Sequence, residues 1–196
     1  MIVIDTEMSG IDPQKCCMLS LGAVDFENPS NTFYGECRLR EGAEIREVSL
    51  RINGFTRESI AKAPFSEAEL FESFVAWSNS VQDRTLAGHN LSLDVLHLRN
   101  AAKSAKIEWP FGFRIVDLHA IAYAHFLVKG NVPLVDGLSH LTLSGISQYT
   151  GIPAQPEPHN ALMDAKMTAE AISRIVLGKS ALDEFKKYPV PSALFK

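Results

Sequence analysis

At 196 residues, 46% hydrophobic and 21% charged, the chain is long enough for one good core and too short for two comfortable domains. A net charge of −4 excludes a broad phosphate-binding face, so a nucleic-acid ligand would be met locally, by metal ions and a few Lys or Arg. Cys16, Cys17 and Cys37 fit no zinc spacing and read as reduced apolar filler, no apolar run reaches about 18 residues, and acidic residues from position 5 exclude a secretory signal. These features predict a soluble, cytoplasmic protein without membrane contact.

In chain order, Ile2-Val3-Ile4 reads as a buried strand ending in Asp5-Thr6-Glu7. Residues 17–27 and 31–39, separated by Asn28-Pro29-Ser30, read as strand, turn, strand, which makes an antiparallel meander with the first strand. A helix over about 66–80 opens at Ser66 with Glu69 three residues later, and Leu70, Phe74 and Trp77 mark its buried face. Thr85–Gly88 is a short strand, followed by a helix over about 91–105. Phe113–Asp117 is another strand, running into a helix that carries Ile121, Ala122 and Phe126. Leu138–Thr150 reads as helical and stops at Gly151-Ile152-Pro153. A long helix follows His159 and closes at Gly178, residues 181–188 suggest a short helix, and the tail from Pro189 is uninformative. Three strands followed by strands alternating with helices describe a mixed sheet covered by helices, in one α/β domain over 1–196. Its core spans about 1–178, with a short C-terminal extension.

Side chains alternate along a strand, so Asp5 and Glu7 share a face with their Cα atoms roughly 6.5–7 Å apart. Two like charges there repel unless a cation lies between them, and a divalent metal is the economical candidate; a solvated strand end is the alternative. Asp94 falls at the edge of the apolar stripe Leu91, Val95, Leu98, Ala102. Asp164 holds the matching place beside Ala161, Ala165, Ala169, Ile172 and Val176. Gly88-His89-Asn90 precedes Asp94 at a strand-to-helix turn, where backbone and polar groups approach ligands. His159, in the loop after Pro156-Glu157-Pro158, is a candidate general base beside a carboxylate-bound metal, with a surface histidine as the alternative.

These pieces resemble the DEDDh 3′–5′ exonucleases of the DnaQ-like, ribonuclease-H-like superfamily. Asp5-Thr6-Glu7 matches the family's Asp-x-Glu, with Met8-Ser9-Gly10 continuing in its style. His89-Asn90-Leu91-Ser92-Leu93-Asp94 matches its second motif, and His159-Asn160-Ala161-Leu162-Met163-Asp164 its third. Leu93 departs from the aromatic that many relatives carry before the second-motif aspartate. The resemblance implies a mixed five-stranded sheet with helices on both faces and a site for two Mg²⁺ or Mn²⁺ ions. It implies that Asp5 bridges both ions, that Glu7 and Asp164 complete the nucleophile-side ion, and that Asp94 acts on the second through water. By the same resemblance His159 takes the proton from the attacking water. The backbone near Met8 holds the terminal 3′-hydroxyl, with Thr6, His89 and Asn90 also contacting substrate. The implied reaction releases nucleoside 5′-monophosphates from 3′ ends of single-stranded DNA or RNA. A homodimer or a polymerase partner is compatible with that reading, as is oligoribonuclease-type trimming. A non-catalytic nucleic-acid-binding module is the competing class, and the presence of all five motif residues argues against it.

Other residues receive structural assignments. Asp117 is read as the cap of the helix that follows it. Phe33, Phe111 and Phe113 are read as strand core, with base stacking as the alternative. His97, His119, His125 and His140 lie on helical patterns without ligand spacing. Lys103, Lys106, Lys186 and Lys187 are read as solvated helix faces.

Overall fold

The computed structural model describes residues 1–195. Its centre is a five-stranded sheet in the order β3-β2-β1-β4-β5. The strands are β1 (Ile2–Met8), β2 (Met18–Asp25), β3 (Thr32–Glu36), β4 (Leu86–Gly88) and β5 (Val116–Asp117). β1 runs antiparallel to β2 and parallel to β4, and β4 runs parallel to β5, so the sheet is mixed. The period-2 alternation of β1 sends its residues into two cores. Ile2 and Ile4 pack with Leu70, Phe74 and Leu98 from α3 (Glu67–Ser78) and α4 (Ser92–Ala105) on one face. Val3 packs on the other face with Leu118 and Ala122 from α5 (Leu118–Val128), Ile146 from α6 (Leu143–Tyr149), and Ala165 and Ile172 from α7 (Ala161–Leu177). Helices therefore cover both faces, in the ribonuclease-H-like arrangement. Among the described residues no helix is long and apolar enough to cross a membrane. The three cysteines are buried and free.

Several local expectations are met by the side chains that motivated them. Ser66 and Glu69 form a reciprocal capping box at the start of α3. Gly178 closes α7 at φ 68°, while its N-cap, Asn160, which accepts the amide of Met163 at 3.1 Å, was not anticipated. The segment 181–188 contributes a 3₁₀ turn, Asp183–Phe185.

Four readings are corrected. Leu138–Ser139 (β7) is not helical. It pairs with Leu134–Val135 (β6) across Asp136-Gly137, both left-handed, as a two-residue hairpin turn requires, and α6 begins only at Leu143. The strand expected over Phe113–Asp117 pairs only at Val116–Asp117, and Phe113 is 90% exposed instead of being core. In α7 the buried stripe turns through Ile172 and Ile175, leaving Val176 exposed. Two helices went unread, α1 (Glu47–Asn53) and α2 (Arg57–Lys62), each too short for a periodic signal.

Two features of the sheet bring the site together. The β1–β2 register slips between Glu7 and Met8, and such a bulge re-aims side chains at a strand end. Asp5 pairs with Gly22 of β2, where any Cβ would collide with the backbone of Ala161 and Leu162. A glycine at position 22 thus lets the first turn of α7 rest directly on the sheet beside Asp5.

Candidate active site

Asp5, Glu7, Asp94 and Asp164 converge from three elements. β1 carries Asp5 and Glu7 on the α7 side of the sheet, and Asp164 lies in the first turn of α7, 2% exposed. Ligand atoms of Glu7, Asp164 and His159 all lie within 4.8 Å of one another. Thr6, with the opposite parity, faces α4. There its amide and hydroxyl both donate to Asp94 Oδ1, at 3.0 and 2.7 Å. Thr6, expected to contact substrate, therefore also fixes Asp94.

The electrostatics of the four acids are unbalanced. Burial, and then the charges of Asp94, Asp164 and Glu7, raise the pKa of Asp5 well above the carboxylate range. Burial lifts Glu7 to about 8, with Asp164 and Asp94 adding to it. Asp94 and Asp164 are each lifted by burial to about 7, against the hydrogen bonds of Thr6 and Gln155 respectively. Among the described residues no Lys or Arg pairs with any of them. Asp164 Oδ1 is buried without a hydrogen-bond partner. Clustered carboxylates with an unpartnered buried oxygen fit a hard divalent cation, which takes oxygen ligands and supplies the missing positive charge. Glu7 and Asp164, with His159, have ligand atoms close enough to share such an ion, and the charges of Asp5 and Asp94 lie beside them.

His159 stands at the entrance to α7, its amide donating to Ile52 O at 3.0 Å. Its Nδ1 is 3.9 Å from Asp164 Oδ2, beyond hydrogen-bond distance. Burial lowers its pKa, opposed by the Glu157 charge, so the imidazole is neutral near pH 7 and able to accept a proton. His89 and Asn90 form the turn between β4 and α4. Asn90 is left-handed at φ 54°, and its amide and that of Leu91 donate to the two oxygens of Asp117 at 3.1 and 3.0 Å. Asp117 also caps α5 through His119 N at 2.8 Å, so it holds the Asp94 turn as well as its own helix. Burial pushes His89 down to about 4.

Two contributors escaped the sequence. Gln155 Nε2 donates to Asp164 Oδ2. Asn53, at the end of α1, donates to Met8 O at 3.2 Å and so pins the strand end. With Ser49 and Ile52 of α1, it walls a cavity of about 150 Å³ against Thr6, Met8, Gly10 and Ile11. Neither the Gln nor the Asn sits in a motif with a spacing signal. A second cavity, about 270 Å³, opens on the other side of Glu7 between Ser20, Tyr34, Glu36, Phe55 and His159. Its walls carry carboxylates and no Lys or Arg, which suits water better than phosphate.

A mixed sheet covered on both faces, with an acidic centre at the ends of β1 and β4, defines the class: an α/β protein of the ribonuclease-H-like nuclease fold. Residues 2–172 match the exonuclease family described by the RNase T model, and the chain belongs to that family. It is 27% identical over 179 residues to the 3′-5′ DNA exonuclease Cap18 of Escherichia coli, covering 86% of this chain and 87% of that protein. It is 25% identical over 192 residues to the PolC-type DNA polymerase III of Thermotoga maritima, covering 95% of this chain but only 13% of the polymerase. E. coli exonuclease I in complex with a dT13 oligonucleotide superposes with a TM-score of 0.74 at 18% identity, over 88% of this chain and 40% of that one. The chain thus spans a small part of the polymerases and less than half of exonuclease I.

Proposed function

We propose that this chain is a single exonuclease domain that removes nucleoside 5′-monophosphates from the 3′ end of single-stranded DNA, using two Mg²⁺ or Mn²⁺ ions. The observation that carries the reading is the cation-free cluster of Asp5, Glu7, Asp94 and Asp164 with its unpartnered Asp164 Oδ1. The Cap18 match over most of both chains supports DNA as substrate. When bound, the ions would polarise the scissile phosphate and acidify the attacking water, so that its proton can pass to His159.

The chain's own residues do the rest. His159 Nδ1 or Nε2, neutral at pH 7, takes a proton from the attacking water, which reaches it from the acidic cavity beside Glu7. Gln155 holds Asp164, and Thr6 holds Asp94, so both carboxylates are oriented before substrate arrives. The terminal nucleoside would lie against the cavity beyond Met8, whose wall of α1 and the Gly10-Ile11 loop would stop the strand and make the cleavage exo. His89 and Asn90 flank the opposite, Asp94 side, where the 3′ oxygen of the remaining strand departs.

End-labelled single-stranded DNA, RNA and very short RNA, each with Mg²⁺, Mn²⁺ or chelator, test the reading. Metal-dependent mononucleotide release from DNA is expected; no release under any metal would defeat it. The 95% overlap with a segment of PolC-type polymerase favours a second reading, the same chemistry in a chain that works beside a polymerase. Under that reading, added polymerase stimulates removal of a mispaired 3′ end. Sedimentation of the chain alone tests the homodimer.

A further inference from the structure

The segment between α4 and β5 carries a feature that the catalytic centre does not use. Trp109 stacks on the core ring of Phe71, with centroids 6.2 Å apart and planes at 14°. The Arg99 guanidinium carbon lies 4.4 Å from the Trp109 centroid and 5.8 Å from that of Phe113. The stack runs outward from the core, and Phe113, 90% exposed, is left in water at its outer end. Phe113, Arg114 and Arg84 line a groove of about 370 Å³ with Thr85 and Pro110. Asp83, the one acid lining it, is already engaged by the amino terminus at 3.5 Å and the Thr85 amide at 2.9 Å. In a chain of net charge −4, three arginines around an exposed ring are a local reversal of sign.

The groove lies along the sheet edge that leads to the catalytic end. Gly88 of β4 pairs with Asp117 of β5, and Asp117 holds the Asn90 turn beside Asp94. Phe113 is four residues before Asp117, so the chain places it no more than about 14 Å back along that edge. Resting on the exonuclease reading above, in which the remaining strand departs on the Asp94 side, we propose that this groove is a second binding site. It holds single-stranded DNA a few nucleotides 5′ of the scissile bond, with a base stacked on Phe113 and phosphates paired with Arg84 and Arg114. Aromatic platforms flanked by arginine bind single strands with little sequence preference, because every base presents a π-face. Arg99, lying over both Trp109 and Phe113, adds its own charge.

Binding of labelled dT20 and of a thymidine dinucleotide to the full chain in chelator separates affinity from cleavage. Phe113→Ala should weaken dT20 roughly 5- to 100-fold and the dinucleotide by less than about 2-fold, with Phe113→Trp restoring dT20. Arg114→Gln should reduce the slope of log affinity against log salt for dT20 by about 0.7. Since Phe113 is exposed, loss of folding does not enter. Equal loss on both ligands, loss on neither, or no rescue by Trp would overturn the groove. If dT20 binds through Phe113 but no metal yields mononucleotides, the exonuclease reading fails while the groove stands. If dT20 is degraded with an unchanged KM in Phe113→Ala, the groove alone fails.

Discussion

The two halves of α7 each bury a carboxylate, and they treat it in opposite ways. Glu170, fully buried, accepts from Arg174 Nε at Oε1, 2.6 Å, and from the amides of Ala181 and Leu182 at Oε2, 2.8 and 3.0 Å. Arg174, equally buried, donates its remaining hydrogens to the carbonyls of Thr150, Phe185, Tyr188 and Pro189. Six residues earlier, Asp164 has one oxygen on Gln155 alone and the other on nothing, with no Lys or Arg paired to it among the described residues. A buried acid that serves the fold is satisfied by the chain. One that serves chemistry keeps an oxygen for something the chain does not contain.

The contrast is sharpest if Asp164 is neutralised. Asp164→Asn should abolish metal-dependent mononucleotide release, yet raise the melting temperature of the metal-free protein at pH 8, because it removes a buried, uncompensated charge. A variant that melts lower in chelator would break the comparison. Arg174→Ala should do the reverse, costing about 3–5 kcal/mol in denaturant titration by stranding Glu170, while surviving folded molecules keep their turnover. His159→Ala should slow turnover ~10²–10⁴-fold with KM little changed; unchanged turnover would remove it from the mechanism.

The smallest effect is in pH. An acid whose pKa is raised by folding keeps its proton to higher pH than in the unfolded chain. Its stability is full below the unfolded value and is lost as pH rises through the folded one. For Glu7 that window runs from 4.5 to about 8, and for Asp94 and Asp164 from 3.8 to about 7. The melting temperature in chelator should therefore fall between pH 5 and 8, and Mn²⁺ should raise it more at pH 8 than at pH 5. A metal-free protein that grows more stable with pH would contradict the assignment.

Much of the site was legible because its residues sit in short, ordered spacings on strongly patterned elements. Asp5 and Glu7 close an apolar strand, and Asp164 follows His159 by five residues at the start of a long helix. The stripe Leu91, Val95, Leu98 put Asp94 at its edge, where a solvated acid was equally open, and only the packing of Thr6 against it shows the carboxylate buried. What was illegible depends on tertiary neighbours. Gln155 reaches Asp164 from an irregular loop, and Asn53 ends a seven-residue helix with no period to detect. The stripe of α7 was misjudged at Val176. Phe113 was assigned to a strand because aromatic and β-branched residues favour strands, while its neighbours form a cation–π stack instead of a ladder. The Asp136-Gly137 turn was in the sequence and marks Leu138-Ser139 as the returning strand of a hairpin and not the start of a helix.

Asp117 adds a kinetic consequence. One carboxylate accepts the amides of Asn90, Leu91 and His119, at the starts of two different helices. Loss of that carboxylate frees all three hydrogens at once. In hydrogen exchange they should report a single opening free energy, and Asp117→Asn should accelerate all three together. The joint that carries Asp94 and the joint that opens α5 thus breathe as one hinge.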